Sequence, residues 1–115
     1  MSKTTAAGNP IRMIRKHLDN IPNVGLPPEF RVRTVRTEES GLWNSIVSGS
    51  EQWLALSNNL FFEEFSKHLP LVSERCFFAV DSDDNPIGTA SAWFCKIDNI
   101  EYGLIHWVAV LPKYQ

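Results

Sequence analysis

From Arg75 to Val110 the sequence has the short period of β-strands, in three apolar runs, RCFFAV, IGTASAWFCKI and EYGLIHWVAV. The residues between the runs, DSDDNP and the pair Asp98-Asn99, are typical of tight turns. Connections this short favour antiparallel pairing, because parallel strands need a long crossover. The pattern therefore predicts three consecutive antiparallel strands, near residues 75–81, 86–97 and 101–110.

A further strand and two helices are predicted before these runs. The stretch FRVRTVR, residues 30–36, alternates apolar and basic side chains and predicts a first strand beside strand 75–81. Thr37 followed by two glutamates is typical of a helix N-terminus. A second helix is predicted to begin near Ser57 or Asn58 and to end at Pro70. The apolar helix faces would comprise Leu42, Trp43, Ile46 and Val47 in the first helix, and Leu60, Phe61, Phe65 and Leu69 in the second.

These elements predict an α+β fold with a mostly antiparallel sheet and two helices between strands one and two. A chain of 115 residues is the size of one small domain. We assign residues 30–115 to that domain and residues 1–29 to an N-terminal leader and linker. Within the leader, Asn9-Pro10 indicates a helix start, and the helix is predicted to end before Pro22.

The formal net charge is −2, but the charges are unevenly distributed. Residues 1–36 contain seven Lys or Arg and two Asp or Glu, whereas residues 37–115 contain four and eleven. A basic leader can bind nucleic acid or an anionic surface, yet no Lys/Arg run of motif length and no aromatic RNA-binding signature accompanies it. The cations are therefore interpreted as scattered surface charges, and we expect no nucleic-acid partner.

Cys76 and Cys95 lie in apolar stretches without CxxC spacing, and no secretory signal or long apolar span precedes them. This favours a reduced, cytoplasmic chain without membrane contact, in which both cysteines are buried free thiols on strands. A disulfide between them remains an alternative if their strands are neighbours.

Metal sites receive no support from the sequence. The turn DSDDNP imitates the start of a calcium loop, but Pro86 stands where that loop needs glycine and Ala92 where it needs a bidentate glutamate. The three histidines have no metal-ligand spacing with one another or with the cysteines. No arrangement of nucleophile and base is legible either. We expect no metal cofactor.

The stretch VAVLPKYQ, from Val108 to Gln115, resembles the fourth strand and following turn of the GNAT family of acetyl-CoA-dependent N-acyltransferases. In that family an apolar strand leads through Pro and an aromatic residue into a Gln/Arg-x-x-Gly-x-Gly/Ala motif, of which this sequence has only the Gln. The stretch RCFFAVDSDDNPIGTASAWF is similar to the second and third strands of the family. The resemblance spans about Phe30 to Gln115 and implies the N-terminal portion of an acyl-CoA N-acyltransferase fold.

By this resemblance, the completed protein would transfer an acetyl group from acetyl-CoA to an unidentified amine. The backbone of Val108, Ala109 and Val110 would pair with the pantetheine arm of CoA, and Gln115 would open the cradle for its pyrophosphate. An ordinary buried strand, paired on both sides, is the alternative. None of the six glycines stands in a Gly-x-Gly pattern, so residues 1–115 alone are expected to be inactive.

The resemblance also implies a general base, because family members often carry Glu or His on the fourth strand. His106 occupies that strand, and imidazole suits proton transfer near neutral pH. A period of two would put His106 on one face with Val108 and Val110, and Trp107 on the other. The alternative is a histidine hydrogen-bonded inside the sheet. The helical region, residues 37–70, would form part of the acceptor site.

A function of another class is also compatible with the sequence. The chain would then be a non-catalytic ligand-binding module, or an interaction module that offers the open edge of strand four to another chain. A Gly-x-Gly turn following Gln115 would favour the enzyme.

Overall fold

The computed structural model describes residues 12–115 and confirms the predicted α+β class. Its strands form one antiparallel sheet in the order β1-β2-β3-β4, with each strand paired to the next. The elements are β1 (Arg31–Thr34), a 3-10 turn (Thr37–Glu39), α1 (Ser40–Ser50), α2 (Leu60–Phe65), a 3-10 turn (Ser66–His68), α3 (Leu69–Arg75), β2 (Cys76–Val80), β3 (Pro86–Ile97), β4 (Ile100–Val110) and a 3-10 turn (Pro112–Tyr114).

The second predicted helix differs from the prediction at its C-terminal end. It breaks at the 3-10 turn Ser66–His68 and resumes as α3, so Pro70 does not end it. Pro70 lies in the first turn of α3, where the missing N–H has no intrahelical partner to lose. The α-helical content between strands one and two is therefore divided among three segments.

No regular helix forms over residues 12–21, so the predicted leader helix is wrong there. The side chains of Ile14 and Leu18 are exposed, and short helices without tertiary packing are marginal in water. Asn20 has a positive φ of 57°, which also interrupts helical geometry. The predicted helix start, Asn9-Pro10, lies outside the described residues.

The helices cover one face of the sheet, and an aromatic cluster forms the core between them. Trp43 of α1 makes edge-to-face contacts with Phe61 and Phe65 of α2 and with Trp107 of β4, at centroid distances of 5.5, 5.4 and 6.0 Å. Such geometry is favoured because the positive edge of one ring meets the negative face of another. Of the predicted helix faces, Leu42 is the exception, since its side chain is exposed.

The opposite face of the sheet is an open apolar groove. Its lining side chains come from all four strands, and no described helix contributes to it. These side chains belong to Val32, Phe77, Ala79, Ala90, Val108 and Val110. No helix in the described range 12–115 is long and apolar enough to cross a membrane.

Candidate functional site

A β-bulge interrupts β4 near its C-terminal end. Thr89 pairs with Ala109 and Ser91 pairs with His106, so Ala90 lies opposite both Trp107 and Val108. An extra residue on one strand of an antiparallel pair is the definition of a bulge. Trp107 has a φ of 50°, in the left-handed region that bulky side chains rarely adopt.

The bulge overturns the predicted alternation of side chains along β4. His106 faces the helices, as its partner Ser91 does, whereas Val108 and Val110 line the open groove on the other face. The prediction that His106 shares a face with these two valines is therefore wrong. A strict period of two holds only without an extra residue, and here one extra residue reverses the pattern.

A carboxylate from α2 joins His106 and Trp107 on the helix side of the sheet. The Trp107 Nε1–H donates to Glu64 Oε1 at 2.9 Å, and His106 Nε2 lies 3.1 Å from the same oxygen. The predicted placement of Trp107 opposite His106 is also wrong, because both side chains reach one atom. The side chains of His106 and Glu64 are 23% and 31% exposed, so the cluster is half-buried.

Glu64 was missed by the sequence reasoning, although its position carried a signal. It lies four residues after Leu60 and three after Phe61, both of which are buried, and so belongs to the apolar stripe of the helix. Its neighbour Glu63 is exposed and hydrogen-bonds Ser57. A charged residue at an apolar position of a helix indicates a specific polar partner.

The outer edge of β4 has no strand partner among residues 12–115. The Leu111 N–H donates to the Ile87 carbonyl across the β3–β4 pair at 2.9 Å, so Val110 directs its own N–H and carbonyl towards the outer edge. The Gln115 side chain folds back there and donates to the Val110 carbonyl at 2.8 Å. The side chain of Val108 is 63% exposed, whereas that of its neighbour Ala109 is buried.

Two thiols lie in the sheet, and both are free. Cys76 is buried and accepts a hydrogen bond from Ser91 Oγ at 3.4 Å, while Cys95 is only half-buried, contrary to the prediction. Burial raises the pKa of the Cys76 thiol, although the Ser91 bond opposes that effect. A thiol with a raised pKa is a weak nucleophile at neutral pH. Across residues 12–115, no three His, Cys, Asp or Glu side chains form a group that could hold a metal ion.

Comparisons with known proteins find likeness in structure but not in sequence. No family model and no curated protein matches the chain. One similar solved structure is described as the GCN5-related glucosamine N-acetyltransferase region of a fungal multi-domain GH3 β-N-acetylglucosaminidase, with a TM-score of 0.59 and 18% identity. A second, from Pyrococcus horikoshii, is provisionally assigned as an acetyltransferase, with a TM-score of 0.56 and 16% identity.

These matches cover 84% and 86% of the present chain but only 11% and 32% of the two solved chains. The chain therefore spans a minor part of each of them. At such low identities the likeness concerns the fold, and the four-stranded antiparallel sheet with its helices agrees with it. The chain has a GNAT-type α+β fold.

Proposed function

We propose that this chain is part of an N-acetyltransferase that uses acetyl-CoA to acetylate an amine. The observation that carries the proposal is the bulged end of β4, where Val110 turns its backbone groups towards an edge without a strand partner in the described residues. An extended ligand with amide groups can bind such an edge as a short additional strand. The pantetheine arm of acetyl-CoA is a ligand of this kind, and both structural neighbours are described as acetyltransferases.

In this proposal Val108, Ala109 and Val110 hold the pantetheine arm, and Gln115 lies at the beginning of the phosphate cradle. The Ala109 carbonyl lies against Gly88 of β3, which leaves the outward groups of Val110 as the principal donor and acceptor. Gln115 would have to release the Val110 carbonyl for the arm to bind. Binding of the arm would thus replace the hydrogen bond between Gln115 and the Val110 carbonyl by one between the ligand and that carbonyl.

The proposed chemistry is direct acyl transfer. The neutral amine attacks the thioester carbonyl, a backbone N–H stabilises the developing oxyanion, the new C–N bond replaces the C–S bond, and CoA leaves as a thiolate. His106 takes the proton that the amine loses. The acceptor would approach from the helix side of the sheet, because His106 faces that side and contacts α2 there.

The proposal includes a cytoplasmic location, on the ground that both cysteines are free thiols. It also includes weak binding of the phosphates by residues 1–115, because none of the six glycines stands in a Gly-x-Gly turn. We therefore expect this chain to bind the pantetheine arm of CoA but to bind its nucleotide weakly.

That difference provides the test. Backbone amide spectra of the ¹⁵N-labelled chain are recorded during separate titrations with pantetheine and with adenosine 3′,5′-bisphosphate. We expect pantetheine to shift the amides of Val108, Val110 and Gln115 and the bisphosphate to leave them unchanged. Pantetheine shifts that avoid β4, or no shifts at millimolar ligand, would reject the proposed cofactor site.

A matched variant sharpens the result. Val110→Pro removes the outward N–H of that residue, and proline is tolerated on a strand edge when its nitrogen faces away from the sheet. We expect this variant to keep the spectrum of β1 and β2 and to lose the pantetheine response. Val108→Ala, which keeps the backbone donor, should retain it.

A second candidate function is an interaction module, favoured by the exposed apolar side chains of β4. Ile105 is 80% exposed and Val108 63% exposed, on a strand whose outer edge has no partner within residues 12–115. Such an edge can pair with a strand of another chain. This candidate predicts association without a response to pantetheine.

A further inference from the structure

We infer that Glu64 is a positioning residue, which holds the His106 ring in the tautomer protonated at Nε2 and leaves Nδ1 as the atom that accepts the proton of the amine. The tautomer follows from contacts within the chain. The role of Nδ1 in catalysis rests on the proposed function.

The direction of the hydrogen bonds fixes the tautomer. An indole nitrogen can only donate, so Glu64 Oε1 acts as an acceptor towards Trp107 Nε1. The same oxygen lies 3.1 Å from His106 Nε2. An acceptor oxygen at that distance requires the hydrogen to reside on Nε2, and in a neutral imidazole the other nitrogen then carries the lone pair.

The second ring nitrogen has no hydrogen-bond partner among residues 12–115, where the one contact of the imidazole with a charged group is made by Nε2. The His106 side chain is 23% exposed, and Nδ1 is not among the fully buried side-chain nitrogens of this part of the chain that lack a hydrogen bond. These observations leave Nδ1 free to accept a proton. A general base needs an unprotonated nitrogen in such a position.

Among residues 12–115, the ion-pair contact of His106 is made by Glu64. From α2 the neighbouring Phe65 places its ring edge-on, 6.0 Å from the imidazole centroid. From β3 the cross-strand partner is Ser91, whose hydroxyl is bonded to the Cys76 thiol of β2. Once Nδ1 accepts a proton, the resulting imidazolium forms an ion pair with Glu64 at 3.1 Å.

The carboxylate of Glu64 also contacts the residue at the bulge. Trp107 is the residue with the left-handed φ of 50°, and its indole is held by the oxygen that contacts His106. One side chain of α2 therefore contacts both the proposed base and the residue with the left-handed φ at the bulge.

Nitrogen-15 NMR of the labelled 115-residue chain tests the tautomer directly. At a pH at which His106 is neutral, we expect an Nε2 resonance of the protonated type, an Nδ1 resonance of the unprotonated type, and an Hε2 signal protected from exchange with water. Glu64→Ala should abolish the Hε2 signal. Glu64→Gln, which keeps an acceptor oxygen for both donors, should retain it in weakened form.

Two further variants act as controls for the contact. Glu63→Gln changes the adjacent exposed carboxylate and should leave every His106 resonance unchanged. Trp107→Phe removes the indole donor and should preserve the Nε2–H signal if Glu64 is the partner. An Nδ1–H tautomer in the unmodified chain, or an Hε2 signal that persists in Glu64→Ala, would overturn the inference.

Chemical reactivity separates the inference from the proposed function. Diethyl pyrocarbonate acylates the unprotonated ring nitrogen. In the chain without substitutions we expect the reagent to acylate His106 at Nδ1, and in Glu64→Ala we expect the preference for Nδ1 to disappear. Acylation at Nε2 in the chain without substitutions would overturn the inference. If the tautomer and the acylation behave as expected but pantetheine does not shift the amides of β4, the proposed function is rejected. The positioning of the imidazole by Glu64 would then still be established.

Discussion

Glu64 and His106 are 42 residues apart in sequence, and they meet because α2 lies over β4. The contact is half-buried, so each group keeps some hydration while the hydrogen bond fixes its orientation. A surface ion pair would not orient a ring in this way, because two mobile side chains lose entropy when they are held together. Packing of Phe65 beside the imidazole limits its motion further.

Replacement of the proposed base is the first prediction at the scale of the residue. In a complete acetyltransferase domain, His106→Ala should lower kcat about 100-fold or more at neutral pH, the range for loss of a general base. The affinity for acetyl-CoA should change little, because the backbone contacts remain. Steady-state kinetics across pH measure both quantities, with His17→Ala in the exposed leader as the matched control. Equal turnover at every pH would assign His106 to packing.

Glu39 provides a second prediction, which concerns stability. Its carboxylate accepts two hydrogen bonds from the Arg33 guanidinium, both at 2.9 Å, and one from the Arg36 N–H at 3.0 Å. The Arg33 bonds, opposed by burial and reinforced by Arg36, lower the pKa of Glu39 from 4.5 to about 2. Because the folded-state pKa lies below the unfolded value, the stabilisation is complete above pH 4.5 and disappears as the pH falls towards about 2.

We therefore expect Glu39→Gln to reduce the free energy of unfolding by on the order of 2 kcal/mol at neutral pH, after allowance for solvent screening. The difference between the variant and the unmodified chain should shrink as the pH is lowered through the same window. Urea unfolding at several pH values provides the measurement. Glu38→Gln, a change in the exposed neighbour, should have little effect. A difference independent of pH would contradict this role of the Arg33–Glu39 pair.

At the scale of the element, the bulge decides what β4 presents to each side. Before the bulge His106 faces the helices, and after it Ala109 does, whereas a regular strand would have turned Val108 inward. Close approach of β3 at this point is permitted by Gly88, where an added Cβ would lie 3.1 Å from the Ala109 carbonyl oxygen. The bulged segment thus depends on a small residue on the neighbouring strand.

We predict that Gly88→Ala destabilises the chain by about 1 kcal/mol, because β4 must shift to admit the methyl group. Gly103→Ala is the matched control, since a Cβ at that strand position meets no atom within 4 Å. It should stabilise the chain by about 0.5 kcal/mol through reduced entropy of the unfolded state. Denaturant unfolding of the two variants measures the contrast. Equal effects would show that the close approach at Gly88 carries no energetic cost.

At the scale of the whole molecule, the sheet has one face covered by helices and one apolar face without a described helix over it. Exposed apolar surface on a strand with an unpaired edge favours association with other chains. The four strands that give the chain its GNAT-type fold therefore also form the apolar face that could contact other chains.

Self-association is the corresponding prediction. We expect the sedimentation coefficient of the 115-residue chain to rise with concentration, because β4 offers both an edge and apolar side chains. Ile105→Lys should weaken this association, since a charge there would be desolvated in the contact. Val24→Lys, a change at an equally exposed position outside the sheet, is the control. A chain that sediments as a monomer at all concentrations would contradict the prediction.

Local sequence patterns determined most of the elements. Turn residues at DSDDNP and Asp98-Asn99 and the short strand period predicted the antiparallel meander, because hairpin connections act over a few residues. The helical apolar stripe correctly placed Trp43 and Phe65 in the core. Pro70 was misread, since a proline suits the first turn of a helix as well as the end of one.

The candidate site was decided by tertiary structure. The resemblance singled out His106 on its predicted strand, but the orientation of its side chain depends on the bulge at Trp107, which no local sequence pattern predicted. Its partner Glu64 belongs to another element, and only the packing of α2 on β4 brings their atoms within 3.1 Å. A sequence specifies elements through interactions between near neighbours, whereas a site requires that distant elements meet in one register, which the packing of the core against the sheet determines.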